Sequence, residues 1–221
     1  MAEARYDGYA QWYEEFRPAL SAEELDVLHR LLGPGQGRCL DVGCGTGLGA
    51  AAVAELGWSV VGVDISSDVL DSARARRVEV VHASADALPF GDGSFDAAVS
   101  FFTHTDIDEF AAAMREVARV LRPATPFLYV GCHPAFVGPH SLFVRAEGVP
   151  EFHPGYRPSR RYDESAPGVW NSDGVRVRVG ALHLTLHDFF AAFTEAGLRI
   201  ERIEELGDRD YPHVIALRAR K

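Results

Sequence analysis

The sequence DVGCGTG at residues 41–47 decides the fold of this chain. It ends an apolar run, Arg38–Gly43, that is typical of a buried strand, and it leads into the alanine-rich segment Gly47–Leu56, which favours a helix. Alternating glycines permit a tight turn and a close approach between the backbone and a ligand. The sequence therefore predicts a strand, a ligand-binding loop and a helix whose first amides face that ligand.

Strand-like and helix-like segments alternate after this loop, with short connections, which indicates a parallel sheet with right-handed crossovers. We expect ligands beyond the carboxyl ends of the strands. The predicted strands are Arg38–Gly43, Ser59–Asp64, Val78–Ala83, Phe95–Phe102, Phe127–Cys132, Leu198–Glu205 and His213–Arg220. The predicted helices are Arg5–Phe16, Ser21–Leu32, Gly47–Leu56, Ser66 to about Arg77, Ile107–Leu121 and His187–Ala196.

Composition limits the function classes. The formal net charge of −10 disfavours a general nucleic-acid binder, so we expect no nucleic-acid partner. The three cysteines show no metal-ligand spacing, and we expect no metal site. No leader and no membrane-spanning apolar run is evident, which predicts a cytoplasmic protein with no membrane partner. The oligomeric state is not encoded in any recognisable way.

Acidic residues follow three successive predicted strands: Asp41, Asp64 and Asp86. A carboxylate at the end of the second strand is suited to bind ribose hydroxyls. The glycine loop also satisfies the dinucleotide fingerprint G-x-G-x-x-A over residues 45–50, so a nicotinamide cofactor is one alternative.

The loop and the later segment SADALPF, residues 84–90, together resemble the class I methyltransferases that use S-adenosylmethionine, in particular the small-molecule, methyltransferase type 11-like family. The resemblance spans about Asp41–Cys132. It implies S-adenosylmethionine as cofactor, S-adenosylhomocysteine as product, Asp86 and Ala87 against the adenine edge, and Ile65 on the adenine face. The cofactor-binding residues that it implies are Tyr6, Tyr13, Asp41, Gly43, Cys44, Gly45, Gly47, Asp64, Ile65, Asp86, Ala87 and Ser100.

The N-terminal pattern Y-D-x-x-A-x-x-Y, residues 6–13, resembles the lid helix of small-molecule methyltransferases. Helical spacing would place Tyr6, Tyr9 and Tyr13 on one face. The turn at Arg122–Pro126 departs from the family, which typically has a Gly-Gly pair there.

The resemblance implies one α/β domain with a Rossmann-like, doubly wound, seven-stranded sheet. The sheet is expected to be mostly parallel with an antiparallel C-terminal strand, N-terminal lid helices and an insertion after strand 5. We divide the chain into lid helices (1–33), a cofactor-binding core (34–132), a substrate-lid insertion (133–180) and a C-terminal helix with two strands (181–221).

Methyl transfer requires alignment of a nucleophile and exclusion of water, and a base only where the acceptor must lose a proton. His104 follows the fourth strand, and His133 and His140 follow the fifth, which makes these three the candidate bases. The insertion is rich in aromatic residues that suit an apolar or aromatic small-molecule acceptor. They are Phe136, Phe143, Phe152, Tyr156, Tyr162 and Trp170.

The leading prediction is methyl transfer to an O, N or C atom of a small molecule. Three alternatives remain open: an S-adenosylmethionine-binding protein of the same fold that catalyses a rearrangement or cyclisation, a nicotinamide oxidoreductase, and a non-catalytic S-adenosylmethionine-binding subunit.

Overall fold

The computed structural model describes residues 3–140, 154–163, 165–166, 174–207 and 211–221. Seven helices and nine strands lie in these ranges. The helices are α1 (Ala10–Phe16), α2 (Ala22–Leu31), α3 (Leu48–Glu55), α4 (Ser67–Ala75), α5 (Phe110–Val120), α6 (Val175–Val179) and α7 (Leu186–Glu195). The strands are β1 (Arg38–Val42), β2 (Ser59–Asp64), β3 (Glu79–His82), β4 (Ala97–Phe101), β5 (Pro126–Cys132), β6 (Arg160–Tyr162), β7 (Ala181–His183), β8 (Arg199–Leu206) and β9 (Val214–Arg220).

Seven of the strands form one sheet in the order β3-β2-β1-β4-β5-β9-β8. The first five are parallel, whereas β9 runs antiparallel to both of its neighbours. Leu40 pairs with Val61 on one side and with Ala98 on the other, which places β1 at the centre of the sheet. The order reverses between β1 and β4, and this is the position at which such sheets bind ligands. The predicted seven-stranded, mostly parallel sheet is confirmed.

Apolar side chains cover both faces of the sheet. On one face Phe110 of α5 and Phe189 and Phe193 of α7 cluster with Tyr129 of β5, all at most 2% exposed. On the other face α2 packs Val27 and its neighbours against the sheet. Burial of each large side chain stabilises the fold by about 1.5–3 kcal/mol, so this double layer holds the strand ends in place.

Side-chain caps begin the helices where the sequence predicts them. Ser21 and Glu24 form the expected capping box on α2, and Ser66 accepts a hydrogen bond from the backbone N–H of Val69 in α4. Each such cap contributes about 1 kcal/mol. The Ser66 cap also fixes the chain immediately after β2, beside the glycine loop.

The predicted helix over Arg5–Phe16 is wrong in its first half. Residues 5–8 form turns, and α1 begins only at Ala10. Gly8 has a φ of +81°, and its N–H donates to the Asp68 carboxylate on α4. A helix cannot contain that backbone conformation, so Tyr6 lies ahead of α1 and does not share a helical face with Tyr13.

The predicted insertion contains ordered structure of its own. Antiparallel strands β6 and β7 form a two-stranded sheet, and α6 leads into β7. Phe143, Phe152 and Trp170, predicted to line an acceptor pocket, lie outside the described residues.

The turn at Arg122–Pro126 lacks the Gly-Gly pair of the family, but one of its residues still has a left-handed backbone conformation. Ala124 has a φ of +62°, and its N–H donates to the Lys221 carbonyl oxygen. An alanine in this conformation costs about 1–2 kcal/mol.

Candidate cofactor site

A cavity of about 340 Å³ lies beyond the carboxyl ends of the central strands. Glycine-loop residues form its floor, the β2 and β3 ends form one wall, and residues 101–109 after β4 form the other. The N-terminal segment closes it from above through Tyr6 and Tyr13. The predicted cofactor residues that line the cavity are Tyr6, Tyr13, Gly43, Gly45, Asp64, Ile65 and Asp86.

The glycine loop is folded tightly against β2. The N–H groups of Gly43 and Cys44 both donate to the Val63 carbonyl oxygen, at 2.8 and 2.9 Å. A Cβ at Gly43 would come within 2.5 Å of Thr103, whereas one at Gly45 would point into open space. Because Gly47 begins α3 with a φ of +86° and no side chain caps that helix, its first-turn amides are available to an anionic ligand group.

Asp64 is fixed at the edge of the cavity by two backbone hydrogen bonds. Its Oδ2 accepts from Gly45 N–H and its Oδ1 from Ser66 N–H, both at 2.9 Å. Burial raises the pKa of the Asp64 carboxyl, although these amides oppose the rise. A carboxylate oriented in this way can accept hydrogen bonds from ligand hydroxyls through its remaining lone pairs.

Asp41 is the most unusual group of the site. Its side chain is 1% exposed, and neither carboxylate oxygen has a hydrogen-bond partner. Burial, with a smaller effect of Asp64, raises the pKa of Asp41 to about 7, while the nearby Ala50 backbone N–H opposes the rise, although its geometry falls short of a full hydrogen bond. Buried polar groups are otherwise almost always hydrogen-bonded, so a free carboxyl beside a ligand cavity indicates that a donor, such as an ammonium group, belongs there.

The residues after β3 that line the cavity differ in part from the predicted ones. Ser84 and Ala85 line the cavity together with Asp86, whereas Ala87 is exposed and absent from the lining residues. The Ala87 N–H closes a turn by donating to the Ser84 carbonyl oxygen, and this turn directs it away from the cavity. Asp86 lines the cavity as predicted, and the adenine contact predicted for Ala87 stays a prediction.

Three further predicted cofactor residues support the loop from outside the cavity lining. Ser100 is fully buried, and its hydroxyl donates to the Val42 carbonyl oxygen at the end of β1. The Cys44 thiol packs against Gly62 of β2. Gly47 provides the turn into α3.

Comparison with known proteins agrees with this geometry. Residues 40–128 match the family model described as a methyltransferase domain. The chain is 39% identical over 90 residues to a demethylmenaquinone methyltransferase of Corynebacterium kroppenstedtii, a match that covers 41% of this chain and 39% of that protein. It is 34% identical over 142 residues to the demethylmenaquinone methyltransferase of Renibacterium salmoninarum, covering 60% of each.

The similarity of the fold extends over the rest of the chain: a solved S-adenosylmethionine-dependent methyltransferase from Mesorhizobium loti superposes with a TM-score of 0.73 at 24% identity, covering 97% of this chain and 99% of that one. The chain spans only about 39–60% of the length of these two curated relatives. The predicted resemblance to class I methyltransferases is confirmed, and the cofactor of the solved methyltransferase is S-adenosylmethionine.

The residues present fit that cofactor. It carries an ammonium, a carboxylate and a ribose. The oriented Asp64 carboxylate lines the cavity, whereas the buried Asp41 carboxyl and the uncapped first turn of α3 adjoin the glycine loop and are not among the residues that line the cavity. Open space at Gly45 leaves room for the ligand where a side chain would fill it.

Hydrogen bonds and ring contacts hold the N-terminal segment of the chain over the cavity. The Tyr6 and Tyr13 rings meet edge to face at 5.2 Å. The Arg5 guanidinium donates to Asp108, whose other carboxylate oxygen accepts from Arg161 of β6. Asp108 therefore links the N-terminal segment and the insertion at the mouth of the cavity.

None of the three candidate histidine bases is among the residues that line this cavity. His104 is 1% exposed, and its Nδ1 shares a hydrogen bond with the Tyr129 hydroxyl inside the aromatic cluster. Burial lowers the pKa of His104 to about 3, which leaves the ring neutral. Phe102, with a φ of +60°, turns the chain after β4, and His104 points into the core.

His133 and His140 are also held by structural hydrogen bonds. His133 Nε2 lies 3.0 Å from Glu205, and its Nδ1 accepts from Ala135 N–H. His140 Nε2 donates to the Ala135 carbonyl oxygen at 2.8 Å. Burial lowers the pKa of both rings.

Asp106 is one of the titratable cavity residues that the sequence analysis did not select. It lines the cavity, and burial raises its pKa while Arg176 opposes the rise. The pattern that singled out His104 contains Asp106 two residues later, and nothing in that pattern alone tells which side chain faces the ligand. Within the described residues, no group of three potential metal ligands exists and no helix is long and apolar enough to cross a membrane.

Proposed function

We propose that this protein transfers a methyl group from S-adenosylmethionine to an O, N or C atom of a small-molecule acceptor. The buried, unpartnered Asp41 carboxyl beside the glycine loop carries the proposal. A carboxylate costs several kcal/mol in such a site unless a cation compensates it, and the ligand's ammonium group is such a cation.

The cofactor supplies a methyl group on a positively charged sulfur. In the proposal, Asp41 binds the ligand's ammonium group, the first amides of α3 bind its carboxylate, and Asp64 accepts hydrogen bonds from its ribose. Tyr6 and Tyr13 exclude water from above, and their ring faces favour a nearby cation by about 0.5–2 kcal/mol. Ser84, Ala85 and Asp86 form the adenine end.

A small molecule is favoured as the acceptor by the aromatic side chains beside the cofactor cavity. Residues 101 and 102 add their rings to the Tyr6 and Tyr13 walls, which suits an apolar or aromatic acceptor. The demethylmenaquinone methyltransferases among the relatives make an aromatic ring a reasonable first class to screen. The net charge of −10 argues against nucleic acid, and the three free cysteines suit a reducing, cytoplasmic setting.

Calorimetric titration of S-adenosylhomocysteine and of NAD tests the cofactor assignment. Wild type should bind S-adenosylhomocysteine and not NAD, and Asp64→Ala should weaken that binding by about 1–3 kcal/mol because it removes buried hydrogen bonds. Asp71→Ala is the matched control, since the Asp71 side chain is 79% exposed on α4, and it should bind like wild type.

Binding of NAD, or of neither ligand, would refute the proposal. Product analysis separates it from a rearrangement or cyclisation on the same fold: methyl transfer converts S-adenosylmethionine to S-adenosylhomocysteine in proportion to product, whereas a rearrangement leaves it unchanged.

A further inference from the structure

Three parts of the chain meet at the Asp106 side chain. Its Oδ2 accepts a hydrogen bond at 3.1 Å from the hydroxyl of Thr105, its own neighbour after β4. Arg176 of α6 brings its Nη1 to 3.7 Å from Oδ1, within reach of charge attraction. From the N-terminal segment, the Tyr6 side chain forms a hydrogen bond with the same carboxyl. Asp106 therefore joins the end of β4, the insertion and the N-terminal segment.

The N-terminal segment also holds the backbone of residue 106. The Arg5 Nη1 group donates to the Asp106 carbonyl oxygen at 3.3 Å, while Nη2 of the same guanidinium donates to Asp108. The Asp106 N–H donates to the Thr103 carbonyl oxygen at 2.8 Å. Two consecutive residues, Arg5 and Tyr6, thus contact the main chain and the side chain of one residue, which fixes Asp106 relative to this segment.

The Tyr6 hydroxyl is the donor in its bond to Asp106. Burial raises the pKa of Tyr6 well above its usual range, and the negative charge of Asp106 is the next cause, so the phenol keeps its proton. Burial also raises the pKa of Asp106, and the charges of Arg176 and Arg161 oppose that rise. The hydrogen bonds from Thr105 and Tyr6 act in the same direction as these charges. A hydrogen bond to a carboxylate is shorter and stronger than one between neutral groups.

This hydrogen bond restrains the orientation of the Tyr6 ring at the cavity. Tyr6 lines the cavity, its backbone belongs to the turns ahead of α1, and its hydroxyl end is bound to Asp106. With both ends held, the ring can turn only about its long axis. Tyr13 restrains that turn, because the two rings meet edge to face at 5.2 Å with 76° between their planes. The face of an aromatic ring is negative and its edge positive, so its orientation decides how it interacts with a charge.

We propose that Asp106 is a positioning residue that, through the Tyr6 hydroxyl, directs the face of the Tyr6 ring toward the positive sulfur of the methyl donor. This inference rests on the proposed function. The sulfur joins the ribose of S-adenosylmethionine to its amino-acid end, so the contacts proposed at Asp64 and Asp41 put it beside the glycine loop, where Tyr6 closes the cavity. S-adenosylhomocysteine lacks the methyl group and the charge, so the ring face favours the donor over the product.

The ratio of two dissociation constants, that of S-adenosylhomocysteine divided by that of S-adenosylmethionine, tests the inference. Calorimetry measures it in wild type, Tyr6→Phe, Asp106→Ala and the double variant. Tyr6→Phe keeps the ring and removes the hydroxyl, whereas Asp106→Ala removes the acceptor. Each should lower the ratio about two- to thirtyfold, because the ring face is no longer held toward the charge. General damage to the site weakens both ligands and leaves the ratio unchanged.

The double variant shows whether Asp106 acts through Tyr6. If it does, the double variant should have the same ratio as Tyr6→Phe to within about twofold, because the hydroxyl that Asp106 would hold is already absent. Asp71→Ala is the matched control, since its side chain is 79% exposed on α4, and it should keep the wild-type ratio. A further fall in the double variant would mean that Asp106 acts on the ligand by its own charge, and would overturn the inference.

The outcomes separate the two proposals. Failure of wild type to bind either ligand refutes the proposed function. Binding of both ligands with a wild-type ratio in Tyr6→Phe overturns the present inference alone. Tyr6→Phe decides this even if Asp106→Ala does not fold, because it removes one oxygen from the N-terminal segment and leaves the Asp106 carboxyl in place.

Discussion

Replacement of Asp41 by asparagine tests the unpartnered carboxyl directly. Asparagine has the same shape but cannot ionise. Burial raises the pKa of Asp41 from 3.8 to about 7, so the unliganded native state holds a proton that the unfolded state gives up as the pH rises. The stability contributed by that proton is fully present below pH 4 and is lost as the pH rises to about 7.

The rise of the Asp41 pKa from 3.8 to about 7 corresponds to about 4 kcal/mol of destabilisation at pH 8, of which about 2 kcal/mol is already present at pH 5. Burial of the asparagine amide also lowers the free energy of unfolding of the variant, by an amount that does not depend on pH. The stability of Asp41→Asn relative to wild type should therefore increase by about 2–3 kcal/mol between pH 5 and pH 8.

Urea denaturation at the two pH values measures this difference, with Asp71→Asn as the exposed matched control. Ligand binding supplies a second readout. At pH 6, below the raised pKa of about 7, most wild-type carboxyls are protonated, so binding of the ammonium of S-adenosylhomocysteine should release a proton from most molecules. Calorimetry in buffers of different ionisation enthalpy counts the proton, and Asp41→Asn should release none.

A stability difference between Asp41→Asn and wild type that is the same at pH 5 and pH 8 would refute the reasoning on burial. Equal proton release by the two proteins would show that the ligand's ammonium does not meet Asp41.

Three other expectations follow from the fold. Ala124→Gly should stabilise the protein by up to about 1 kcal/mol, seen as a rise in Tm of about 2–4 °C, because glycine relieves the left-handed backbone; an unchanged or lower Tm would contradict this. Tyr129→Phe should lower the free energy of unfolding by about 1–3 kcal/mol in urea denaturation, because His104 Nδ1 loses its partner. The affinity for S-adenosylhomocysteine should stay unchanged, and a large loss of affinity would instead connect His104 to the site. Asp108→Ala should speed S-adenosylhomocysteine dissociation about two- to fivefold in a stopped-flow experiment, because Arg5 loses its anchor; an unchanged rate would mean that the N-terminal segment does not control release.

The central part of the site could be predicted from the sequence because backbone constraints determine it. Three glycines between a strand and a helix permit few arrangements, and Asp64 at the end of the next strand must lie beside them in a parallel sheet. Asp41 and Gly45 follow from the same pattern.

The rest depends on contacts that a linear pattern does not contain. Gly8 interrupts the predicted first helix because its N–H bonds to Asp68, 60 residues away. The Ala87 N–H donates to the Ser84 carbonyl oxygen, a turn that brings Ser84 and Ala85 into the cavity lining beside the predicted Asp86. The strand end also carries both His104 and Asp106, and only the backbone turn at residue 102 decides that the histidine enters the core while the acid lines the cavity.

A crystal structure of the protein with S-adenosylhomocysteine tests the central claim most directly. The account predicts the ligand's ammonium group within hydrogen-bonding distance of the Asp41 carboxylate, its ribose at Asp64 and its adenine beside Ser84–Asp86, with Tyr6 and Tyr13 above it. A ligand bound elsewhere, or one that leaves the Asp41 carboxylate without a partner, would contradict the account.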